Sequence, residues 1–178
     1  MSPEAIKALV RTIPDFPKAG IQFRDITTLI GHGDGFRASV DWLAERVRAD
    51  GAQAIAGMEA RGFIFGAASA AALGLPFIPI RKPGKLPIET IGVDYALEYG
   101  ADRLEMDPSA VKAAMPVAIV DDLLATGGTA CAATELLRRA GAEVTSAAFV
   151  IDLPDLGGAQ RLQADGVAVH ALMQFEGE

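Results

Sequence analysis

An α/β fold, built on a twisted and mostly parallel sheet flanked by helices, is predicted by three features of the sequence. Short apolar runs recur at 54–58, 76–80, 117–120, 144–151 and 167–173. Such runs suit strands buried on both faces. Stretches of helical period separate most of them, the alternation that builds parallel sheets. The third feature is the run VAIVDDLLATGGT at 117–129. It reads as a buried strand, an acidic pair, a small-residue turn and then a helix, with Asp121 and Asp122 where the strand would leave the sheet.

The elements follow in order. Residues 2–10 read as a short capped helix, the Pro-rich 13–20 stretch as turns, and 20–26 as a short extended piece. Asp34 is placed to cap a longer helix. In it Phe36, Val40, Leu43 and Val47 form one stripe, and Gly51 ends it. Trp42 falls off that stripe, read either as a subunit contact or as a partly buried side chain. Strand 54–58, a helix over 63–73 and strand 76–80 form a βαβ unit with a right-handed crossover expected. The small residues of that helix would let its backbone approach the sheet closely.

Segments 95–99 and 103–107 bracket Gly100, Ala101 and Asp102 and read as a β-hairpin. The 86–94 stretch before it has no helical period, as a mobile lid would not. After the central turn, Ala133, Leu136 and Leu137 share one helix face and Gly141 stops the helix. A strand at 144–151, a short helix at 158–164 and a last strand at 167–173 complete the chain. His170, in that last strand, reads as a packed structural histidine.

Composition bounds the function. The 178 residues are read as one domain, 1–178, with 51% hydrophobic residues to build a core. A net charge of −7 argues against nucleic-acid or anionic-membrane partners. No apolar run is long enough to span a bilayer, and no signal peptide opens the chain. The single cysteine cannot form an internal disulfide, which points to a reducing cytoplasm. Cys131 lies in the first turn of the predicted helix, where a thiolate would be favoured; the plainer reading is a small residue packing near the loop. No Cys/His cluster has metal-ligand spacing, so no protein-held metal site is expected.

The 125–129 turn can aim backbone N–H groups and a helix N-terminus at a phosphate, and Thr126 and Thr129 add hydroxyl donors. It has neither a Walker ending nor a G-x-G-x-x-G pattern. Carboxylates beside a phosphate cradle repel phosphate, so Asp121 and Asp122 need another partner. Ribose hydroxyls fit, because carboxylates accept hydrogen bonds. The inferred ligand is a ribose 5-phosphate; taken alone, the acidic pair and the glycines read equally as a solvated turn. Arg61, Arg81, Lys82 and Lys85 follow two predicted strands, and four cations on one sheet edge suit a polyphosphate. Solvated surface charge is the alternative, above all for Lys85.

Together with the central run, FPKAGIQFRDI (16–26), EARGFIFG (59–66), RKPGKLP (81–87) and YALEYG (95–100) resemble the adenine phosphoribosyltransferases, and the resemblance covers nearly the whole chain. It implies the type I phosphoribosyltransferase fold, with a small base-binding hood (1–33) and a lid loop and hairpin (83–107). The implied reaction converts adenine and 5-phosphoribosyl 1-pyrophosphate to AMP and pyrophosphate. Mg²⁺ would be held mainly through substrate oxygens, and the assembly would be a homodimer.

By that resemblance Asp121 and Asp122 hold the ribose hydroxyls, and Ala125, Thr126, Gly127, Gly128 and Thr129 the 5′-phosphate. Arg61, Lys82 and Lys85 bind pyrophosphate, Arg61 and Lys82 also serving catalysis, and Arg81 can reach a partner subunit's site. Phe23 stacks on adenine, Leu153 closes the other face, and backbone groups around Gln22 and Arg24 pair with the base edge. Gln22 departs from the apolar residue more usual there. A cis bond between Glu59 and Ala60 is also implied. In the 6-oxopurine enzymes an Asp typically stands where this chain has Ala125, so a proton at adenine N7 or N9 falls to another segment, with Glu98 the candidate. A phosphoribosyltransferase for a 6-oxopurine or xanthine, and a non-catalytic phosphoribosyl pyrophosphate-sensing regulator, remain as alternatives.

Overall fold

The computed structural model describes residues 1–97 and 100–177; Glu98, Tyr99 and Glu178 lie outside the described residues. Its centre is a parallel five-stranded sheet of β3 (Ala54–Met58), β4 (Phe77–Ile80), β7 (Pro116–Leu124), β8 (Glu143–Asp152) and β9 (Ala168–Gln174), in the order β4-β3-β7-β8-β9. Side chains alternate along each strand, and two cores result. Ala54, Ala56, Met58, Val117 and Ile119 face α5 (Gly128–Arg139), while Ile55, Ala118 and Val120 face α3 (Gly33–Ala49) and α4 (Arg61–Leu73). Both faces are covered, which is why the strands read as continuous apolar runs.

The small residues of α4 bring it close to the sheet, as expected. A Cβ on Gly62 would stand 2.6 Å from Asp121 Oδ1, and one on Gly66 2.8 Å from the Phe77 ring.

The hood consists of α1 (Pro3–Lys7), β1 (Arg11–Pro14), β2 (Gln22–Asp25) and α2 (Thr27–Ile30). β1 takes in Ile13 and Pro14, the first two residues of the stretch expected as turns, because antiparallel pairing with β2 organises it through Pro14; residues 15–20 keep to turns and bends. Asp25 accepts from the Thr27 hydroxyl at 2.7 Å and its N–H at 2.9 Å, and from Arg11; these bonds hold its carboxyl down to about pKa 2.

Three further expectations are corrected. His32, not Asp34, caps α3: its Nδ1 accepts the Gly35 N–H at 3.1 Å. The hairpin is β5 (Ile91–Ala96) and β6 (Ala101–Met106), so residues 91–94 of the expected 86–94 lid stretch are strand. Val93, Leu104 and Met106 anchor that hairpin in the core shared with α5. Finally, β7 does not stop before its acidic pair. It remains paired with β8 as far as Leu124. α6 (Gly158–Ala164) coincides with its expected span. His170 is structural as read, its Nε2 lying 2.8 Å from Asp50 Oδ2 at the end of α3. Trp42 is half-buried, with the Arg46 guanidinium over its ring.

Candidate active site

From β3 the chain crosses through α4 to β4 on one side; from β7 it crosses through α5 to β8 on the other. The crevice between the carboxyl ends of β3 and β7 is therefore a topological switch point, where ligands of open α/β sheets bind. A polar cleft of about 270 Å³ lies there, lined by Glu59 and Arg61 after β3 and by Asp121 through Ala130, from the last residues of β7 into the start of α5.

Pairing of β7 with β3 ends at Ile119, while pairing with β8 continues. Asp121 and Asp122 thus leave one neighbour but not the other. Asp121 Oδ1 accepts the Asp122 N–H at 2.8 Å. Burial, reinforced by the Asp122 charge, pushes the Asp121 carboxyl well above the ordinary carboxylate range. Asp122 is only 3% exposed. Arg61 Nε lies 2.9 Å from its Oδ2, yet no donor among the described residues is aligned for a hydrogen bond to that buried oxygen. A buried carboxylate oxygen in this state is costly unless a ligand supplies the donor.

The next residues form the turn at 125–129. Gly127, at φ +83°, is the N-cap of α5. The first-turn N–H groups of that helix have no carbonyl one turn earlier, and Gly128, Thr129 and Ala130 line the cleft. A Cβ on Gly127 would come within 3.0 Å of Gly158 Cα and 3.1 Å of its carbonyl oxygen. Sequence reasoning placed Gly127 against a ligand and missed this contact, made by a residue of α6.

A second pocket, about 570 Å³, opens between the hood and the end of β8. Gln22, Phe23, Arg24 and Leu153 all line it. Phe16 packs edge-on to Phe23 at 5.2 Å, and the Arg61 guanidinium lies 5.9 Å from the Phe23 centroid. The Arg24 side chain is committed elsewhere, donating to Thr12 Oγ1 at 2.7 Å and the Glu176 carbonyl at 3.0 Å. Arg61, Leu123, Ala125 and Thr126 line both this pocket and the polar cleft.

Arg81 and Lys82 do not stand free at the cleft wall. Arg81 pairs with Glu59 at 3.2 Å, and the same carboxylate oxygen accepts the Lys82 N–H at 2.7 Å. The Lys82 ammonium is bound to Asp102 and lies 3.3 Å from the Tyr95 hydroxyl. Burial opposes its charge, but these two partners prevail and raise its pKa; Lys82 in turn lowers that of Asp102. Lys85 is exposed, its carbonyl 3.5 Å from Arg81 Nη1. The Glu59–Ala60 bond is cis, as the resemblance implies. Cys131 is half-buried and burial raises its thiol pKa, which corrects the thiolate reading. Asp102 and Tyr95 were not singled out from sequence. Glu98 lies outside the described residues.

The phosphoribosyl transferase domain family matches residues 30–167. The adenine phosphoribosyltransferase of Novosphingobium aromaticivorans is 67% identical over 177 residues, 99% of each chain. That of Aeromonas salmonicida is 54% identical over the full length of both. Among solved structures, adenine phosphoribosyltransferase from Thermoanaerobacter pseudethanolicus superposes with a TM-score of 0.92 at 46% identity, over 98% of this chain and all of that one. The Saccharomyces cerevisiae enzyme, complexed with adenine and an imino-altritol bisphosphate, gives 0.89 at 36% identity, over 96% and 98% of the two chains.

Proposed function

The chain belongs to the adenine phosphoribosyltransferase family, and from that premise we propose that it joins adenine to 5-phosphoribosyl 1-pyrophosphate, giving AMP and pyrophosphate in purine salvage. One observation carries the reading: the polar cleft and the more apolar pocket share Arg61, Leu123, Ala125 and Thr126. A nucleoside monophosphate spans such a pair, with phosphate on the 125–129 turn, ribose at Asp121 and Asp122, and the base between Phe23 and Leu153. The buried Asp122 oxygen is ion-paired with Arg61 but accepts no aligned hydrogen bond, and a ribose hydroxyl can donate one.

The transfer forms the bond from adenine N9 to the anomeric carbon and breaks that carbon's bond to pyrophosphate, through an oxocarbenium-like state. Arg61 and Lys82, with Lys85, take up charge on the departing group. Arg81 serves the site of a second subunit in a homodimer. Glu98 manages the proton at N7 or N9, and Glu98→Gln is expected to lower kcat by about 10²-fold while phosphoribosyl pyrophosphate still binds; full kcat would remove it from the chemistry. The loop ahead of β5, within the expected 83–107 lid region, excludes water from the reacting sugar.

A divalent ion fits this site as a companion of the substrate. Among the described residues no three metal-ligating side chains cluster, while two carboxylates stand beside the ribose position. Mg²⁺ on substrate oxygens supplies charge neutralisation at the leaving group. No helix among the described residues is long and apolar enough to cross a membrane. A cytoplasmic location is part of the proposal, and the net charge of −7 argues against nucleic-acid or anionic-membrane partners.

The test is pyrophosphate release from phosphoribosyl pyrophosphate with adenine, hypoxanthine, guanine, xanthine and orotate in turn. Adenine is expected to be used far above the rest. Efficient use of hypoxanthine would overturn the base assignment, and no release with any base would overturn the activity.

A further inference from the structure

We propose that Arg161, on α6, is a positioning residue that holds the anion turn in its phosphate-binding orientation. The inference rests on the phosphoribosyl-transfer reading above. It starts from peptide geometry. In a trans peptide the C=O of one residue and the N–H of the next point in opposite directions. The bonds following Ala125 and Thr126 are trans. The Ala125 carbonyl accepts the Gly158 N–H at 3.1 Å, and the Thr126 carbonyl accepts from Arg161 Nη1 at 2.9 Å. Both carbonyls are therefore drawn to α6, behind the turn. The N–H groups of Thr126 and Gly127 are left facing the other way, and both residues line the polar cleft.

The two bonds differ in what secures them. The first lies where even a Cβ on Gly127 would stand only 3.0 Å from Gly158 Cα, so close packing fixes it. The second spans the Thr126–Gly127 peptide, and glycine's wide φ range makes that peptide free to flip. A flip would turn the Thr126 carbonyl oxygen toward a bound phosphate and the Gly127 N–H away from it, replacing attraction with repulsion. Arg161 opposes this with a charge-assisted bond. It is a surface residue outside both cores, so its bond to the turn can be removed without opening either.

Two variants test this in the full chain: Arg161→Met removes the donor and keeps most of the stem, and Arg161→Lys keeps a donor. The probes are ribose 5-phosphate, titrated calorimetrically, and both substrates in steady state. For Arg161→Met, ribose 5-phosphate affinity and KM for phosphoribosyl pyrophosphate are expected to worsen about tenfold or more, the scale of a small misplacement. KM for adenine and Tm should stay unchanged, and Arg161→Lys should recover part of the loss. Ribose 5-phosphate affinity unchanged in Arg161→Met overturns the proposal. So does an equal rise in both KM values with a falling Tm, which marks a merely structural role. If the unmodified protein binds ribose 5-phosphate but does not use adenine, the activity reading fails alone; if it binds none, both fail.

Discussion

The 125–129 turn offers an anion backbone N–H groups, and its two leading carbonyls are already bonded from behind. Arg61, Arg81 and Lys82 offer side-chain charge that Asp122, Glu59 and Asp102 already hold. On the proposed reading the first region is ready as it stands, and the second must exchange partners before it can receive pyrophosphate. The difference follows from the groups used. Backbone in a short turn is fixed by a few packing contacts, whereas long cationic side chains near solvent gain from any nearby carboxylate. A cradle for the phosphate that stays with the product can be rigid. A site for the departing group has to let go, and paired cations allow that.

The strongest way to break the comparison is to obstruct the ready side. Gly127→Ala places a Cβ at positive φ against Gly158 backbone, so neither residue can yield. We expect kcat/KM to fall by about 10³-fold or more, a loss typical of misplaced transition-state donors. Because the collision is internal, Tm should also drop. Full activity in this variant would show that the turn is not preorganised.

On the paired side, Lys82→Ala should lower kcat by about 10²–10³-fold, as for one lost charge stabiliser. Tm should scarcely move, since the lysine is partly exposed. A fall in Tm with normal kcat would reassign Lys82 to holding the hairpin through Asp102.

Asp121 sharpens the contrast through stability. Its folded carboxyl binds a proton more tightly than the unfolded one, because burial and Asp122 raise its pKa. Stability is therefore greatest below the unfolded pKa and falls as pH rises toward the folded value. Asp121→Asn removes that loss. Tm should rise by about 2–4 °C at pH 8 and by less at pH 4, while phosphoribosyl pyrophosphate binds more weakly. An identical shift at both pH values would sink this account.

The smallest effect belongs to Asp102→Asn, which releases Lys82 in advance. A partly exposed ion pair contributes about 0.2–1 kcal/mol, so KM for phosphoribosyl pyrophosphate should fall by about 1.4- to fivefold. An increase would mean that Asp102 aims Lys82 rather than restrains it.

The sequence by itself determined the strand–turn–helix order, the two-faced burial of the central strands, the acidic pair and the glycine turn. Each of these is written within a dozen neighbouring residues, as a run of β-branched side chains, a helical stripe or a small-residue turn. Only the tertiary structure decided where β7 parts from β3, and hence why Asp122 has a buried oxygen without a donor. It also decided that Pro14 pairs in a strand, that β5 begins at Ile91, that Lys82 meets Asp102 and that Arg161 reaches back to Thr126. The physical reason is common to these cases. Local pattern fixes which face a residue presents, but its partner is chosen by whichever distant segment the fold brings against that face.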